Sequence, residues 1–161
     1  MSSREVIKIL GNRSKDYFFW CVEREPVDKC LSQYAMLKNS PFHNKNSDSL
    51  TWKNFVKEGK FPVNTQQYFS GPTKQSLDKK ILVKQILDYK NIRTTLPIFL
   101  NDKFGIQGFD LNKSNAKGGF RTSDIPKINE VNKEQKDMIY KKFKLSNIIL
   151  KEFGIEYDLN I

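Results

Sequence analysis

The pattern of hydrophobic and polar positions begins with a strand and a helix joined by a short turn. Residues 16–24 form an almost continuous apolar run rich in aromatic side chains, which predicts a strand buried on both faces. Pro26 ends this run and suits the first turn of a helix. The apolar positions of that helix recur at helical spacing: Val27, Cys30, Leu31, Tyr34 and Ala35. A strand followed directly by a helix is half of a parallel β-α-β unit, so we expect the α/β class.

The next segments alternate between polar loops and short periodic elements. Residues 38–49 are polar and predict a surface loop, and Ser49 is a candidate N-cap for a helix that ends at Gly59. The apolar positions of this helix are Leu50, Trp52, Phe55 and Val56. We expect a further helix over residues 77–87, opened by Ser76 or Asp78.

The rest of the chain predicts a strand, two helices and a long loop. Residues 92–96 are β-branched and predict a short strand, and residues 97–104 predict a helix. Residues 105–127 are rich in Gly, Ser and Asn and predict a long loop of the kind that often carries function. Asn132 and Gln135 resemble a capping box for the last helix. Its candidate buried side chains are Met138, Ile139, Phe143, Ile148, Ile149 and Phe153.

Length and composition indicate one globular domain over residues 1–161. The chain has 161 residues, of which 38% are hydrophobic, and this is enough for an ordinary core and too much for a disordered chain. The sequence contains no apolar run of membrane-spanning length, and its polar amino terminus does not predict a signal peptide. We therefore expect a cytoplasmic protein with no membrane span.

The cysteines and the histidine argue against disulfide and zinc chemistry. Cys21 and Cys30 lie in apolar segments, and with His43 as the one histidine they supply too few metal ligands at the wrong spacing. We expect two core thiols, a surface histidine in a polar loop and no metal.

An excess of lysine and the first strand-helix junction both point to an anionic ligand. The formal net charge is +10, which favours association with nucleic acid, a nucleotide or an acidic glycan. Arg24 ends the predicted strand immediately before a helix amino terminus, where a guanidinium and free N–H groups together suit a phosphate. Ser32 could add a hydroxyl donor. The alternative is that Arg24 pairs with Asp28 or another carboxylate and that Ser32 is incidental.

The junction resembles the 3′-phosphate-binding motif of sulfotransferases that use 3′-phosphoadenosine 5′-phosphosulfate (PAPS). That motif is a strand ending in Arg-x-Pro, followed by a serine; here it reads FFWCVEREPVDKCLSQY, with Arg24 and Ser32 in the two phosphate-binding places. Residues 50–56 and the NTQQYFSG stretch, residues 64–71, are similar to later segments of membrane-type, carbohydrate-modifying sulfotransferases and their bacterial relatives. The resemblance extends over nearly the whole chain, and its first motif is the specific part.

The resemblance implies a three-layer, P-loop-kinase-like parallel sheet flanked by helices, with PAPS as co-substrate. Arg24 and Ser32 would then bind the 3′-phosphate. The loop that contains Lys117, Gly118 and Arg121 is similar to the basic, glycine-containing loop that covers the cofactor in that family. By the same resemblance, Asn64 and Gln66 lie near the acceptor, which would be a hydroxyl or amine, with a glycan as one candidate.

The chain departs from the family in its amino-terminal part. The family's 5′-phosphosulfate loop lies upstream of Arg-x-Pro, and no strand with a glycine-rich phosphate loop precedes Arg24 here. Residues 71–76 look only superficially like such a loop, since Pro72 removes a needed N–H. We therefore expect a fold that is incomplete in its amino-terminal part, with an exposed sheet edge that favours pairing with a second copy or a missing partner.

Two other classes of function stay open at this point. The first is a basic nucleic-acid-binding module, although the lysines are spread evenly and form no known binding motif. The second is a catalytically inactive interaction subunit, because no residue stands out as the general base and the catalytic residues are unknown. The leading hypothesis is a sulfotransferase-family domain that binds the 3′-phosphoadenosine part of PAPS.

Overall fold

The computed structural model describes residues 3–40, 42–44, 47–68, 81–111 and 118–157, and within them the chain is an α/β protein. The helices are α1 (Ser3–Leu10), α2 (Pro26–Asn39), α3 (Trp52–Glu58), α4 (Ile92–Phe104) and α5 (Lys133–Lys151). The strands are β1 (Trp20–Glu23) and β2 (Gln85–Asp88). The expected α/β class is confirmed. No helix in the described part of the chain is both long and apolar enough to cross a membrane.

The two strands form a parallel pair, as the β-α-β pattern predicts. Their register places Trp20 beside Gln85 and Glu23 beside Asp88. Both strands therefore end at the same edge of the sheet. Within the described ranges the sheet has these two strands.

Each face of the sheet packs against a separate apolar cluster. Cys21 and Ile86 belong to a cluster with the end of α5 and the segment that follows it. Trp20 and Leu87 contribute to a second cluster, formed with α4. This division follows from the strand geometry, in which successive side chains point to opposite faces. Val22 is 37% exposed, so the expectation of a strand buried on both faces over residues 16–24 is wrong in part.

The largest core lies between α2, α3 and α5. Its central side chains are buried and come from the apolar faces of these helices: Val27, Cys30, Leu31, Tyr34, Phe55, Val56, Ile139 and Phe143. The predicted helix after Pro26 is therefore confirmed with its apolar positions. On α5 the prediction is right for Ile139, Phe143 and Ile149, whereas Met138 is 40% exposed and Ile148 is 54% exposed.

The segment expected to be a helix over residues 77–87 contains a strand instead. Residues 85–88 form β2, while residues 77–80 and the proposed caps Ser76 and Asp78 lie outside the described residues. Ile86 and Leu87 are both buried because the two faces of this strand are both covered. Consecutive apolar residues of this kind are also found on a buried helix, and periodicity alone does not separate the two.

The expected strand over residues 92–96 is the first part of helix α4. The predicted helix over residues 97–104 is confirmed, and it continues backward through Pro97 to Ile92. Thr94 and Thr95 favour strands in isolation, but here both hydroxyls donate to the Asn91 carbonyl, at 2.9 and 3.0 Å. A threonine hydroxyl in a helix commonly makes this bond to a preceding carbonyl, so the β-branched pair does not exclude a helix.

Of the four predicted helix ends that lie in the described residues, three follow the expected chemistry. Gly59 ends α3 with φ 64°, a left-handed conformation that favours glycine. Asn132 caps α5, its side chain accepting from the Gln135 N–H at 2.9 Å, and Pro26 is in the first turn of α2. The exception is the start of α3, where Thr51 is the cap and accepts from the Asn54 N–H at 3.2 Å, so the prediction of Ser49 is wrong.

Candidate functional site

The candidate site lies at the carboxyl edge of the sheet. β1 ends at Glu23 and β2 ends at Asp88, and helix α2 begins at Pro26, immediately beyond β1. In parallel α/β sheets this edge, where helices begin, is the usual place for a ligand. The residues predicted from the Arg-x-Pro motif therefore lie where this rule expects a ligand.

Arg24 is held by one carboxylate and one aromatic ring. Its Nε lies 3.1 Å from Oδ2 of Asp28, and its guanidinium carbon lies 3.5 Å from the centre of the Tyr89 ring. The side chain is 20% exposed. The pairing of Arg24 with Asp28, which the sequence left as an alternative, is therefore present in the structure.

Arg121 reaches the same carboxylate from the predicted loop. Its Nη2 lies 2.7 Å from Oδ1 of Asp28 and donates to the Asp28 carbonyl at 2.8 Å. Each oxygen of Asp28 thus holds one of the two arginines. The structure brings together Arg24 and Arg121, which the sequence placed in one site although they are far apart along the chain.

The two residues that flank Arg121 are held against the carboxyl-terminal end of α2. Asn39 donates from Nδ2 to the Phe120 carbonyl at 2.7 Å and to Oγ1 of Thr122 at 2.9 Å. Ser32 follows Asp28 by one helical turn, a spacing that puts both residues on the same side of α2. Ser32 itself is partly buried.

The amino terminus of α2 already has a carboxylate cap. Oε2 of Glu25 accepts from the Asp28 N–H at 2.6 Å, and its Oε1 accepts from the Tyr140 hydroxyl at 3.1 Å. Glu25 was not singled out from the sequence. Its position directly before Pro26 indicates the capping role, because a proline in the first turn of a helix makes the preceding residue the N-cap, where side chains with an acceptor oxygen are favoured.

A second group of polar side chains surrounds the last residues of the two strands, Glu23 and Asp88. Glu23 is 4% exposed and accepts from Nζ of Lys29 at 2.9 and 2.7 Å and from the Tyr68 hydroxyl. On the neighbouring strand, Asp88 accepts from the Tyr157 hydroxyl at 3.2 Å. Burial and, after it, the negative charge of Asp88 raise the pKa of Tyr157, so this phenol remains a hydrogen-bond donor at neutral pH.

The residues expected near the acceptor lie in the segment that leads to Tyr68. Asn64 is partly buried, and its carbonyl accepts from the Gln67 N–H at 2.8 Å. Gln66 belongs to the short 3-10 turn Thr65–Tyr68, and its side chain is outside the described part. Since Tyr68 contacts Glu23, this segment adjoins the carboxyl edge of the sheet.

The other two predicted positions of the cofactor loop are Lys117 and Gly118. Lys117 lies outside the described residues, as do residues 71–76 with the superficial phosphate-loop pattern. Gly118 is the first residue of the 3-10 turn Gly118–Phe120, directly before Arg121. The structure therefore brings together Arg24 and Arg121 from the predicted cofactor-binding set and adds Asp28 between them.

The thiols and the histidine have no part in this site. Burial, followed by the charge of Glu23, raises the pKa of Cys21 to about 12, and burial likewise raises the pKa of Cys30. Both are therefore protonated and poorly nucleophilic at neutral pH. His43 is exposed, with Nδ1 2.7 Å from Oγ of Ser40. Among the described residues, no group of three or more His, Cys, Asp or Glu side chains is arranged to hold a metal.

Comparisons of the chain with protein-family models, curated proteins and solved structures yield no significant match.

Proposed function

We propose that this chain is a sulfotransferase-family domain that binds the 3′-phosphoadenosine part of PAPS, for sulfuryl transfer to a hydroxyl or amine acceptor. The main support for the proposal is one observation: Arg24 and Arg121 both form ion pairs with Asp28 at the carboxyl edge of the sheet. The resemblance in sequence assigns both arginines to one bound nucleotide. The three-layer, P-loop-kinase-like architecture is part of this proposal.

The two arginines have donors left for a phosphate. Within the described ranges Asp28 engages Nε of Arg24 and Nη2 of Arg121, which leaves the other guanidinium N–H groups for phosphate oxygens. Ser32 adds a hydroxyl on the same side of α2. In this proposal these three side chains bind the 3′-phosphate, and PAPS supplies the sulfuryl group.

The acceptor would lie on the side of the segment that holds Asn64 and Gln66. This segment adjoins Glu23 through Tyr68, so an acceptor there would be close to the same edge of the sheet. A general base must take the proton of the acceptor hydroxyl or amine. The sulfuryl group of PAPS would then pass to this acceptor, for example a glycan.

Calorimetry with adenosine 3′,5′-bisphosphate tests the nucleotide site. The wild-type chain should bind this nucleotide more tightly than 5′-AMP, and Arg24→Ala should weaken binding at least about tenfold, because a charge-assisted hydrogen bond is removed. Arg13→Ala is the matched control, since Arg13 is exposed in the turn Gly11–Asp16, before the amino end of β1. It removes the same charge and should leave the affinity within about twofold.

The same experiment separates this proposal from nucleic-acid binding. Equal weakening by Arg24→Ala and Arg13→Ala would show that overall charge controls binding, and would contradict an enclosed site. Binding to single-stranded nucleic acid that falls steeply with salt would then support the basic binding module. Nucleotide binding without transfer to any acceptor would support the inactive interaction subunit.

A further inference from the structure

We propose that Tyr89 is a positioning residue for phosphate binding, because its ring fixes the plane of the Arg24 guanidinium without occupying any of its donors. The guanidinium carbon lies over the ring, 3.5 Å from the ring centre. The inference rests on the proposed function, since it concerns how the same arginine receives the 3′-phosphate. Tyr89 acts on the nucleotide through Arg24 and not by a contact of its own.

The geometry of a guanidinium group explains why an aromatic ring suits this task. The group donates all of its hydrogen bonds within its own plane, and its two faces carry no donors. Asp28 takes the edge at Nε, where Oδ2 lies at 3.1 Å, and the Tyr89 ring covers one face. Within the described residues these two contacts hold Arg24 and leave the edge formed by its Nη atoms to an anion. A second carboxylate in place of the ring would occupy that edge and repel a phosphate.

The ion pair with Asp28 does not fix the orientation of Arg24 by itself. With a single contact at Nε, the guanidinium plane can still tilt, and the Nη groups then point away from a bound phosphate. The ring of Tyr89 opposes this tilt, because the attraction between a cation and an aromatic ring is strongest over the ring face. Arg24 is therefore ordered before the nucleotide arrives, and less entropy is lost on binding.

The register of the sheet explains why Arg24 and Tyr89 meet. Glu23 and Asp88 are paired across the two parallel strands and are the last residues of β1 and β2. Arg24 and Tyr89 are the residues that follow this pair. Both side chains thus leave the sheet at its carboxyl edge, from neighbouring strands that run in the same direction.

The backbone of Tyr89 is anchored at this edge. Tyr89 opens the 3-10 turn Tyr89–Asn91, and Asp88 caps this turn by accepting from the Lys90 N–H at 3.0 Å. The same carboxylate accepts from the Tyr157 hydroxyl at 3.2 Å, which ties the turn to the segment after α5. Tyr89 itself is 45% exposed, so replacing its ring leaves no cavity in the core.

Calorimetry with two nucleotides tests the inference. The probes are adenosine 3′,5′-bisphosphate and 5′-AMP, which lacks the 3′-phosphate. Tyr89→Leu should weaken binding of the bisphosphate about fivefold and change binding of 5′-AMP less than about twofold. Tyr89→Phe keeps the ring and should bind both nucleotides like wild type. Tyr89→Gln is a second variant without the ring and should reproduce the effect of Tyr89→Leu.

Tyr17→Leu is the matched control. Tyr17 is 55% exposed and precedes the amino end of β1, so this substitution removes the same side chain away from the carboxyl edge. It should leave both affinities unchanged, and thermal melting checks that each variant is folded. When Arg24 is already alanine, Tyr89→Leu should change the bisphosphate affinity less than about twofold, because no guanidinium is left to orient.

The outcomes distinguish this inference from the proposed function. If Arg24→Ala weakens bisphosphate binding while folded Tyr89→Leu and Tyr89→Gln bind like wild type, the nucleotide site stands and the role of Tyr89 is wrong. Equal weakening of both nucleotides by loss of the ring, or an undiminished loss in the Arg24→Ala chain, would show direct contact with the nucleotide and overturn the inference. Weakening by Tyr89→Phe would assign the effect to the hydroxyl and overturn it as well. If the folded wild type does not bind the bisphosphate, the proposed function and the inference both fail.

Discussion

At the scale of the single residue, the carboxyl end of β1 presents a buried ion pair. Glu23 is 4% exposed, Lys29 is 14% exposed, and the carboxylate also accepts from Tyr68. Taking two charges out of water is costly, and the pair is stable only because each charge has close partners. Removal of one partner therefore leaves a buried charge without compensation.

Glu23→Gln tests this pair. The substitution keeps the size of the side chain but leaves Lys29 without its counter-charge, so the free energy of unfolding should fall by about 3 kcal/mol. Denaturation in urea measures the change. Glu58→Gln is the control, because the Glu58–Lys60 pair is 55% and 83% exposed, and its removal should cost less than about 1 kcal/mol. Equal costs would contradict a stabilising buried pair.

At the scale of the element, helix α3 depends on residues at its two ends. It spans only Trp52–Glu58, and isolated helices of this length are not stable in water. Thr51 caps its beginning and Gly59 its end. The capping side chain keeps Trp52, Phe55 and Val56 aligned toward the main core.

Thr51→Ala tests the cap of α3. It removes the oxygen that accepts from the Asn54 N–H at 3.2 Å, and the free energy of unfolding should fall by about 1 kcal/mol. Thr51→Ser keeps this oxygen and should retain most of the stability. Thermal or urea denaturation of both variants provides the comparison. Similar destabilisation by alanine and serine would show that the methyl group, and not the cap, is what matters.

At the scale of the whole molecule, α5 joins the parts of the structure. Ile139 and Phe143 lie in the main core with α2 and α3, whereas Leu150 lies in the cluster on one face of the sheet. Tyr140 of the same helix donates to Glu25 at the candidate site. The stability of the core and the position of the α2 cap are therefore linked through α5.

Substitution of two isoleucines on α5 tests whether the buried face of this helix stabilises the fold. Ile139 is 0% exposed, and Ile139→Ala should lower the free energy of unfolding by about 2–5 kcal/mol, because it leaves a cavity. Ile148 is 54% exposed on the same helix, and Ile148→Ala should cost less than about 1 kcal/mol. The two substitutions shorten the same type of side chain on the same helix, and only the burial of that side chain differs between them. Similar destabilisation by the two substitutions would contradict the assigned core.

Several features of this protein could be predicted from the sequence because they depend on neighbours in the chain. The helix after Pro26, the end of α3 at Gly59 and the cap of α5 at Asn132 follow from local spacing and from capping chemistry. The placement of Arg24 at the end of a strand followed from the same local pattern. Its role in binding a phosphate stays a prediction.

Only the tertiary structure determined features that depend on residues far apart in the chain. Residues 85–88 form a strand because β1 lies beside them, and the same apolar pattern would serve a buried helix. Glu23 can be buried because Lys29 and Tyr68 contact its carboxylate. Asp28 can pair with both Arg24 and Arg121 because Phe120, next to Arg121, is bound to Asn39 of α2. A sequence shows which charges are present, but their pairing depends on which segments meet when the chain folds.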